Sequence, residues 1–551
     1  MMKKVIRCAT PVALASVIAS CQTATMAAQN AVAIVPQPEE IAILDETANP
    51  PFTFAAQTTV KATPKEAEFA AKELKKWMKA LNPDKAPAAQ DTAINFITAE
   101  NKLGDEAYQL TVNAKEITIK ASAAPGFYYG AQTLRRLLPA SHDGLINGAA
   151  KIPALTINDA PRYKWRGMML DCCRHWWPMD EIKKIIDMMA SLKLNVFHWH
   201  LTEDQAWRIE IKKYPELVEK GAWRSGVGFD LPTTSTTHYR EDGMYGGFYT
   251  QEDAKEIIDY CAQRNITVVP EIEVPGHAMA MLHVFPQYGC TGGPYEIMQK
   301  GGVFPSIACA GNEQAMKFYE DVFDEIAALF PSKYIHIGGD EAPKDEWKKC
   351  PKCQARMKEV GAENENQLQN WVTERMEKHL AKLGKRIIGW DEILEGDKLS
   401  SSAVVQCWRT WTKPQNKAAE NGNEMVFSPT ANCYLDYKQS DTTKEPRAIG
   451  TVTLPLEQVY KLDPSTSLTQ EQEKLVKGCQ GNVWCEYIAG EDHLEYMIAP
   501  RIAAIAEAAW TQKNNRGWQD FRRRLENEVK FFKAQNFKYR ELDPIEEPES
   551  K

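Results

Sequence analysis

From about Tyr163 to Trp510 the chain alternates two hydrophobic patterns. Short apolar runs of strand type are followed by loops. Longer stretches then repeat apolar residues at three- and four-residue spacing, the period of an amphipathic helix. The predicted strands are Gly167 to Cys172, Asn195 to Leu201, Thr267 to Glu273, Tyr334 to Gly339, Arg386 to Trp390, Val404 to Trp408, Glu424 to Ser428 and Gln480 to Trp484. Predicted helices between them are Met179 to Leu192, Gln251 to Arg264, Glu313 to Phe330 and Asn366 to Leu383. Eight strands alternating with helices over roughly 350 residues predict an α/β fold, a (β/α)8 TIM barrel.

Upstream, residues 31 to about 155 read as a small α+β domain. Strands are predicted at Val32 to Val35, Phe52 to Lys61, Ile94 to Thr98, Tyr108 to Val112 and Glu116 to Ala121, the last two joined by a turn at Asn113-Ala114-Lys115. Pro64 opens a helix over Lys65 to Ala80, and a second helix runs from Gly126 to Leu138. No catalytic constellation stands out there, so packing is the expected role. The charged amphipathic segment Trp518 to Phe537 predicts a final helix that packs on the fold. The expected organisation is a signal peptide over 1–20, the small domain over 21–155, the barrel over 156–515 and a helix and tail over 516–551.

Composition narrows the partners. With 551 residues the chain exceeds one ordinary core, and 44% hydrophobic with 25% charged residues is globular. A net charge of −8 argues against nucleic acid or an anionic membrane surface. Fifteen tryptophans and nineteen tyrosines suit stacking on the apolar faces of sugar rings as well as core packing. Lys3, Lys4 and Arg7 precede a short apolar run, Pro11 to Ile18, and Ile18-Ala19-Ser20-Cys21 resembles the lipobox of bacterial lipoproteins. Lipidation at Cys21 is the expectation, with cleavage near Ala27 or Ala28 the competing reading. Either way the mature protein leaves the cytoplasm, and lipidation places it in the cell envelope of a Gram-negative-type bacterium, periplasmic or on the outer membrane, touching membrane only through the lipid.

Thirteen cysteines include Cys8 and Cys21, leaving eleven, so at least one thiol is unpaired. Cys350-Pro351-Lys352-Cys353 has the spacing of half a zinc ribbon or of a redox motif. No second such pair follows, so a local disulfide or two reduced thiols is expected, with no metal and no cofactor. Cys290 and Cys309 bracket a Gly-rich loop and could pair with each other.

Chemistry concentrates at the predicted strand ends, where barrels of this type carry their sites. The fourth strand runs Tyr334-Ile335-His336-Ile337 into Gly338-Gly339-Asp340-Glu341. Adjacent strand residues point to opposite faces, so two neighbouring acids share one cavity only where the pleat breaks. Other ends supply Asp171, Arg174 and His175; His198, His200, Glu203 and Asp204; Glu271, Glu273 and His277; Trp390, Asp391 and Glu392; Trp408 and Arg409; Tyr434 and Asp436; and Trp484 and Glu486.

In order and combination these motifs resemble the family 20 glycoside hydrolases, the β-N-acetylhexosaminidases, over roughly residues 35 to 515. The matching pieces are Gly126 through Arg135, Arg166-Gly167 through Asp171 with Arg174-His175, Asn195 through Leu201, Pro270-Glu271 with Pro275-Gly276-His277, and His336 through Glu341. Where the family commonly has Asp-Asp, this chain has Glu203-Asp204, which leaves open which of the two is the site residue. The resemblance implies an exo-acting, retaining enzyme that removes terminal β-linked N-acetylglucosamine or N-acetylgalactosamine from glycans, the substrate's own acetamide attacking the anomeric carbon to form an oxazolinium. It implies Glu341 as general acid and base, and Asp340 as the group that orients the acetamide. It further implies sugar contacts for Arg174, Asp436, Trp484 and Glu486, and an acetamide pocket of Trp390, Trp408 and Tyr434. His277 with Asp204 or Glu203 would support Glu341. The competing readings are a metal-dependent barrel hydrolase, from the His198-Trp199-His200 spacing, and a catalytically inactive glycan-binding lipoprotein.

Overall fold

A computed structural model describes residues 32–55, 58–81, 92–397 and 399–544. Cys21 and the predicted signal peptide lie outside the described residues. The chain divides into two compact units: residues up to Ala160 together with Gln519–Ala534, and Pro161–Trp518 together with the residues from Gln535 onward.

The first unit holds a six-stranded mixed sheet in the spatial order Glu40–Ile43, Leu155–Asp159, Tyr108–Val112, Glu116–Ala121, Ala93–Thr98, Thr59–Ala62. Helices Glu68–Leu81 and Ala124–Leu137 belong to this unit and pack against each other. The run expected as one strand over Phe52 to Lys61 is two: Phe52–Ala55 pairs with Ala149–Ile152, whereas Thr59–Ala62 pairs with Ala93–Thr98. Val32 to Val35 is not a strand. The Ile34 carbonyl accepts from Arg524 Nη1 at 2.7 Å and that of Ala33 from Asn527 Nδ2 at 3.0 Å, so helix side chains take bonds a ladder would need. That helix, Trp518–Ala534, is tied further by a buried bidentate pair, Arg136 to Glu528 at 2.6 and 2.8 Å. Leu155–Asp159 pairs with Glu40–Ile43 and Tyr108–Val112, so the small unit extends past the expected end at 155.

The second unit is a closed barrel of eight parallel strands: β1 (Trp165–Asp171), β2 (Val196–His200), β3 (Thr267–Glu271), β4 (Tyr334–His336), β5 (Arg386–Trp390), β6 (Val404–Cys407), β7 (Glu424–Phe427) and β8 (Val476–Val483), with β8 pairing back to β1. Helices cross back between strands, and their starts are marked by side chains. Thr250 forms a capping box with Asp253 on Gln251–Gln263, while Asn312 and Asn364 accept from the first-turn amides of Glu313–Leu329 and Glu365–Lys382.

Strand period decides what fills the barrel. Every second residue points inward. At the N-terminal end the inward positions Trp165, Val196, Val269, Ile388, Val404 and Val426 form an apolar plug. One step along, the same faces carry His198, Glu271, His336 and Gln480. His198 Nδ1 meets Gln480 Nε2 at 2.9 Å, His198 Nε2 lies 2.9 Å from Glu271 Oε2, and His336 Nδ1 lies 2.7 Å from Glu271 Oε1. Above this polar layer, Trp390, Tyr434 and Trp484 form an aromatic floor at the C-terminal mouth, with Met169 packed against them.

Candidate active site

The acid pair sits where the pleat fails. Gly338 and Gly339 adopt left-handed backbone, φ 64° and 95°, separated from the end of β4 by one residue, Ile337. A Cβ on Gly338 would lie 1.7 Å from Glu273 Oε2, so only glycine lets the β3 end and the β4 end approach this closely. Glu341 is itself left-handed at φ 45°, which turns its side chain toward the same mouth as that of Asp340. His277, just beyond β3, shares that unusual φ of 45°.

His277 is the hub. Its Nδ1 lies 2.7 Å from Glu203 Oε1 and 3.0 Å from Asp204 Oδ2, while Nε2 lies 3.5 Å from Glu341 Oε2 and 3.7 Å from Asp340 Oδ2. Both members of the Glu203-Asp204 pair therefore engage His277, which answers what the sequence left open. Asp204 also accepts from the Met279 amide at 3.0 Å and fixes the loop, whereas Glu203 also pairs with Arg174 Nη2 at 3.0 Å. Burial would lower the His277 pKa, but the Glu203 charge and hydrogen bonds to Asp204 and Glu203 hold it well above the histidine range. Burial would likewise raise Glu203, yet Arg174 and His277 bring it down to about 2. Asp340 is driven the other way: burial first, then the Glu273 charge, hold its carboxyl well above the usual range.

Arg174 is set by the β1 end. Asp171 Oδ1 accepts from the amides of Cys173 and Arg174 at 2.8 and 3.1 Å and shapes the turn. The guanidinium spreads between Asp171 at 3.2 Å, Gln205 at 2.9 Å and Glu486 at 3.8 Å, and stands over the Trp484 ring at 5.1 Å. The aromatic residues come together as one surface. Trp390 and Trp484 centroids are 5.7 Å apart, Trp408 stacks on Tyr434 at 6.1 Å and 20°, and Tyr437 packs beside them. Two indole N–H groups are anchored, that of Trp390 on Glu271 at 2.8 Å and that of Trp408 on Glu392 at 2.9 Å.

Not every polar atom in the mouth is satisfied. Within the described residues, Asp340 Oδ1, both Asp436 carboxylate oxygens and Glu486 Oε2 are buried without a hydrogen bond from another residue. Buried acceptors of this kind cost free energy unless a ligand supplies donors. Four such oxygens around an aromatic floor suit a neutral ligand with several hydroxyl or amide N–H groups and an apolar face.

All the described residues expected at the site lie at strand ends of one barrel mouth. Three further strand-end residues, to which the sequence reading assigned no role, belong there too. Glu273 lies against Gly338 and is pushed up to about 7 by burial and the Glu271 charge, Glu392 anchors Trp408, and Gln205 holds Arg174. Glu273 is visible in the sequence as a strand-end acid two residues beyond Glu271, but its contact with Gly338 is not. The His198-Trp199-His200 spacing reports the polar layer beneath the floor, where His198 meets Gln480 and Glu271.

Comparison with known proteins follows the same outline. The model of the glycosyl hydrolase family 20 catalytic domain matches residues 163–513, and that of domain 2 of the same family matches residues 31–160. A beta-hexosaminidase of Porphyromonas gingivalis is 40% identical over 516 residues, covering 90% of this chain and 62% of its own length. One from Vibrio furnissii is 36% identical, covering 90% of this chain and 79% of its own. Among solved structures, an exo β-N-acetylglucosaminidase of Vibrio harveyi in complex with N-acetylglucosamine superposes with a TM-score of 0.81 at 34% identity, covering 93% of this chain and 78% of that one. A mutant beta-hexosaminidase of Streptomyces plicatus in complex with its product GlcNAc does so with a TM-score of 0.79 at 29% identity, covering 93% and 96%. Sequence, fold and the architecture of the barrel mouth agree: the chain belongs to glycosyl hydrolase family 20.

Proposed function

We propose that the protein is an exo-acting, retaining β-N-acetylhexosaminidase that removes terminal non-reducing N-acetylglucosamine or N-acetylgalactosamine by substrate-assisted catalysis. One observation carries this reading: Asp340 and Glu341 both approach the same nitrogen of His277, at 3.7 and 3.5 Å. Carboxyls of adjacent residues at one strand end, both turned to one imidazole nitrogen, cannot readily flank a bound sugar from opposite sides. A two-carboxylate retaining enzyme needs them on opposite sides of the bond, about 5–5.5 Å apart. The nucleophile is then the substrate's acetamide oxygen.

Glu341 protonates the leaving oxygen and afterwards takes a proton from water. Asp340 Oδ1, buried and unpartnered, accepts the acetamide N–H. Burial and the Glu273 charge raise its pKa. Positive charge developing on the acetamide pulls that pKa down, so the carboxylate is anionic when it stabilises the oxazolinium. The aromatic wall of Trp390, Trp408 and Tyr434 receives the acetamide methyl, and Tyr434 can donate to its carbonyl. Arg174, Asp436 and Glu486 bind the outer hydroxyls over Trp484, and this closed end makes the enzyme exo-acting. The beta-hexosaminidase relatives and the N-acetylglucosamine complex of the Vibrio harveyi structure support this assignment.

The test is a panel of aryl β-glycosides that differ only at C2. The N-acetyl sugars should turn over with retained anomeric configuration by NMR, while the 2-hydroxyl glucoside should be inert in the chemical step. A trapped sugar ester on any Asp or Glu would overturn the mechanism. For location, we infer that Cys21 carries a lipid that anchors the protein in the cell envelope, supported by the lipobox-like Ile18-Ala19-Ser20-Cys21. Cys21→Ser should move the protein from the membrane to the soluble fraction, since buried acyl chains contribute about 0.8 kcal/mol per CH₂. Unchanged fractionation would refute the anchor.

A further inference from the structure

Four cysteines distant in sequence converge beside the barrel mouth. Cys290 and Cys309 lie in the long loop after β3, Cys350 is the N-cap of helix Pro351–Val360, and Cys353 is in its first turn. Cys309 Sγ lies 3.5 Å from Cys353 Sγ and 3.7 Å from Cys350 Sγ, and Cys290 Sγ lies 3.8 Å from Cys353 Sγ. All four sulfurs fall within 4.8 Å of one another, and three of the four residues are buried.

We propose that Cys290, Cys309, Cys350 and Cys353 form a structural site for one zinc ion. Zinc binds thiolates tetrahedrally at about 2.3 Å, which sets the sulfur–sulfur edges of the tetrahedron at about 3.8 Å. Three of the separations, 3.5 to 3.8 Å, are near that edge. A disulfide requires about 2.05 Å, and no pair of these cysteines is so joined. Cys309 stands almost equally close to two partners, as a shared central ion requires. Four protein thiolates leave no open coordination position, so the site is structural rather than catalytic. A soft, all-sulfur tetrahedral set selects zinc over the hard divalent cations.

The surroundings are built for it. A Cβ on Gly311 would lie 2.1 Å from the carbonyl carbon of Lys352, so the loop and the helix start approach backbone to backbone. The Cys309 amide donates to Tyr288 at 2.9 Å, and the Trp347 indole donates to the Ala308 carbonyl at 2.9 Å. The Ala308 amide in turn donates to the carbonyl of Pro275, two residues before His277, at 3.0 Å. The ion would thus clasp the loop that backs His277 to the segment that follows Glu341. Four separated cysteines do this without the second Cys-x-x-Cys that spacing alone would demand.

The full chain, purified without chelator, should carry one zinc per chain by elemental mass spectrometry. The four thiols should resist alkylation in the native protein and react once zinc is stripped. Cys353→Ser and the double variant Cys350→Ser/Cys353→Ser should lose the metal, while Cys261→Ser, a buried cysteine on Gln251–Gln263, should keep it. If the site variants fail to fold, the wild-type metal content and alkylation pattern decide. Absence of stoichiometric zinc, recovery of the four cysteines as disulfides, iron in place of zinc, or undiminished zinc in a folded double variant would each overturn the proposal.

Discussion

Glu341 and His277 hold left-handed backbone at φ 45°, a conformation costing about 1–3 kcal/mol for a residue with a side chain. The contacts around them show what that strain accomplishes: it aims a carboxylate and an imidazole at one point. Glu341→Gln should therefore leave sugar binding nearly intact and lower kcat on an unactivated disaccharide by about 10²–10⁴-fold. Aryl glycosides with good leaving groups should suffer less in the first step. Near wild-type turnover of the disaccharide would remove Glu341 from its role. Asp340→Asn should impair N-acetyl substrates by loss of charge beside the oxazolinium, seen as weaker inhibition by a thiazoline mimic alongside lower kcat. An unchanged inhibition constant would count against Asp340 as the stabilising anion.

At the level of elements, the site depends on how β3 and β4 end. Gly338 gives Glu273 the space to lie against the β4 turn, and the polar layer of His198, Glu271 and His336 supports Trp390 from below. Gly338→Ala places a Cβ into Glu273 in left-handed backbone, so a stability loss of about 1–3 kcal/mol in urea unfolding is expected, with reduced kcat. A variant with an unchanged midpoint and full turnover would show that the turn relaxes without consequence. Most elements were legible because period is local: β5 spans Arg386–Trp390 as its pattern predicts. The segment from Phe52 was not, since two short strands of similar pattern join different sheets, a choice made by distant partners.

Across the whole molecule, the buried charges of the mouth couple stability to pH. His277 has its folded pKa raised above the unfolded value of 6.5, so its stabilisation is complete below that value and is lost as pH rises toward the folded pKa. Glu273, raised from 4.5 to about 7, erodes stability in the same direction as pH climbs through that interval. Glu203, lowered from 4.5 to about 2, stabilises above 4.5 and loses its contribution as pH falls toward 2. The stability advantage of the wild type over His277→Asn should therefore shrink as pH rises above about 6.5. Denaturant unfolding at a series of pH values checks this, and an advantage that grows with pH would contradict the assigned protonation.

By itself the sequence determined the barrel, the small domain before it and the ring of strand-end residues. Each of these follows from periodicity, or from a residue's place relative to the end of its own strand. Tertiary structure decided what no spacing records. It put both Glu203 and Asp204 on His277, committed the Trp390 indole to Glu271, and drew Val32 to Val35 out of a ladder onto helix side chains. It also brought Cys290 and Cys309 to Cys350 and Cys353. Alternation and helical repeat are properties of neighbouring residues, whereas contacts between loops depend on where the closed barrel sets their ends.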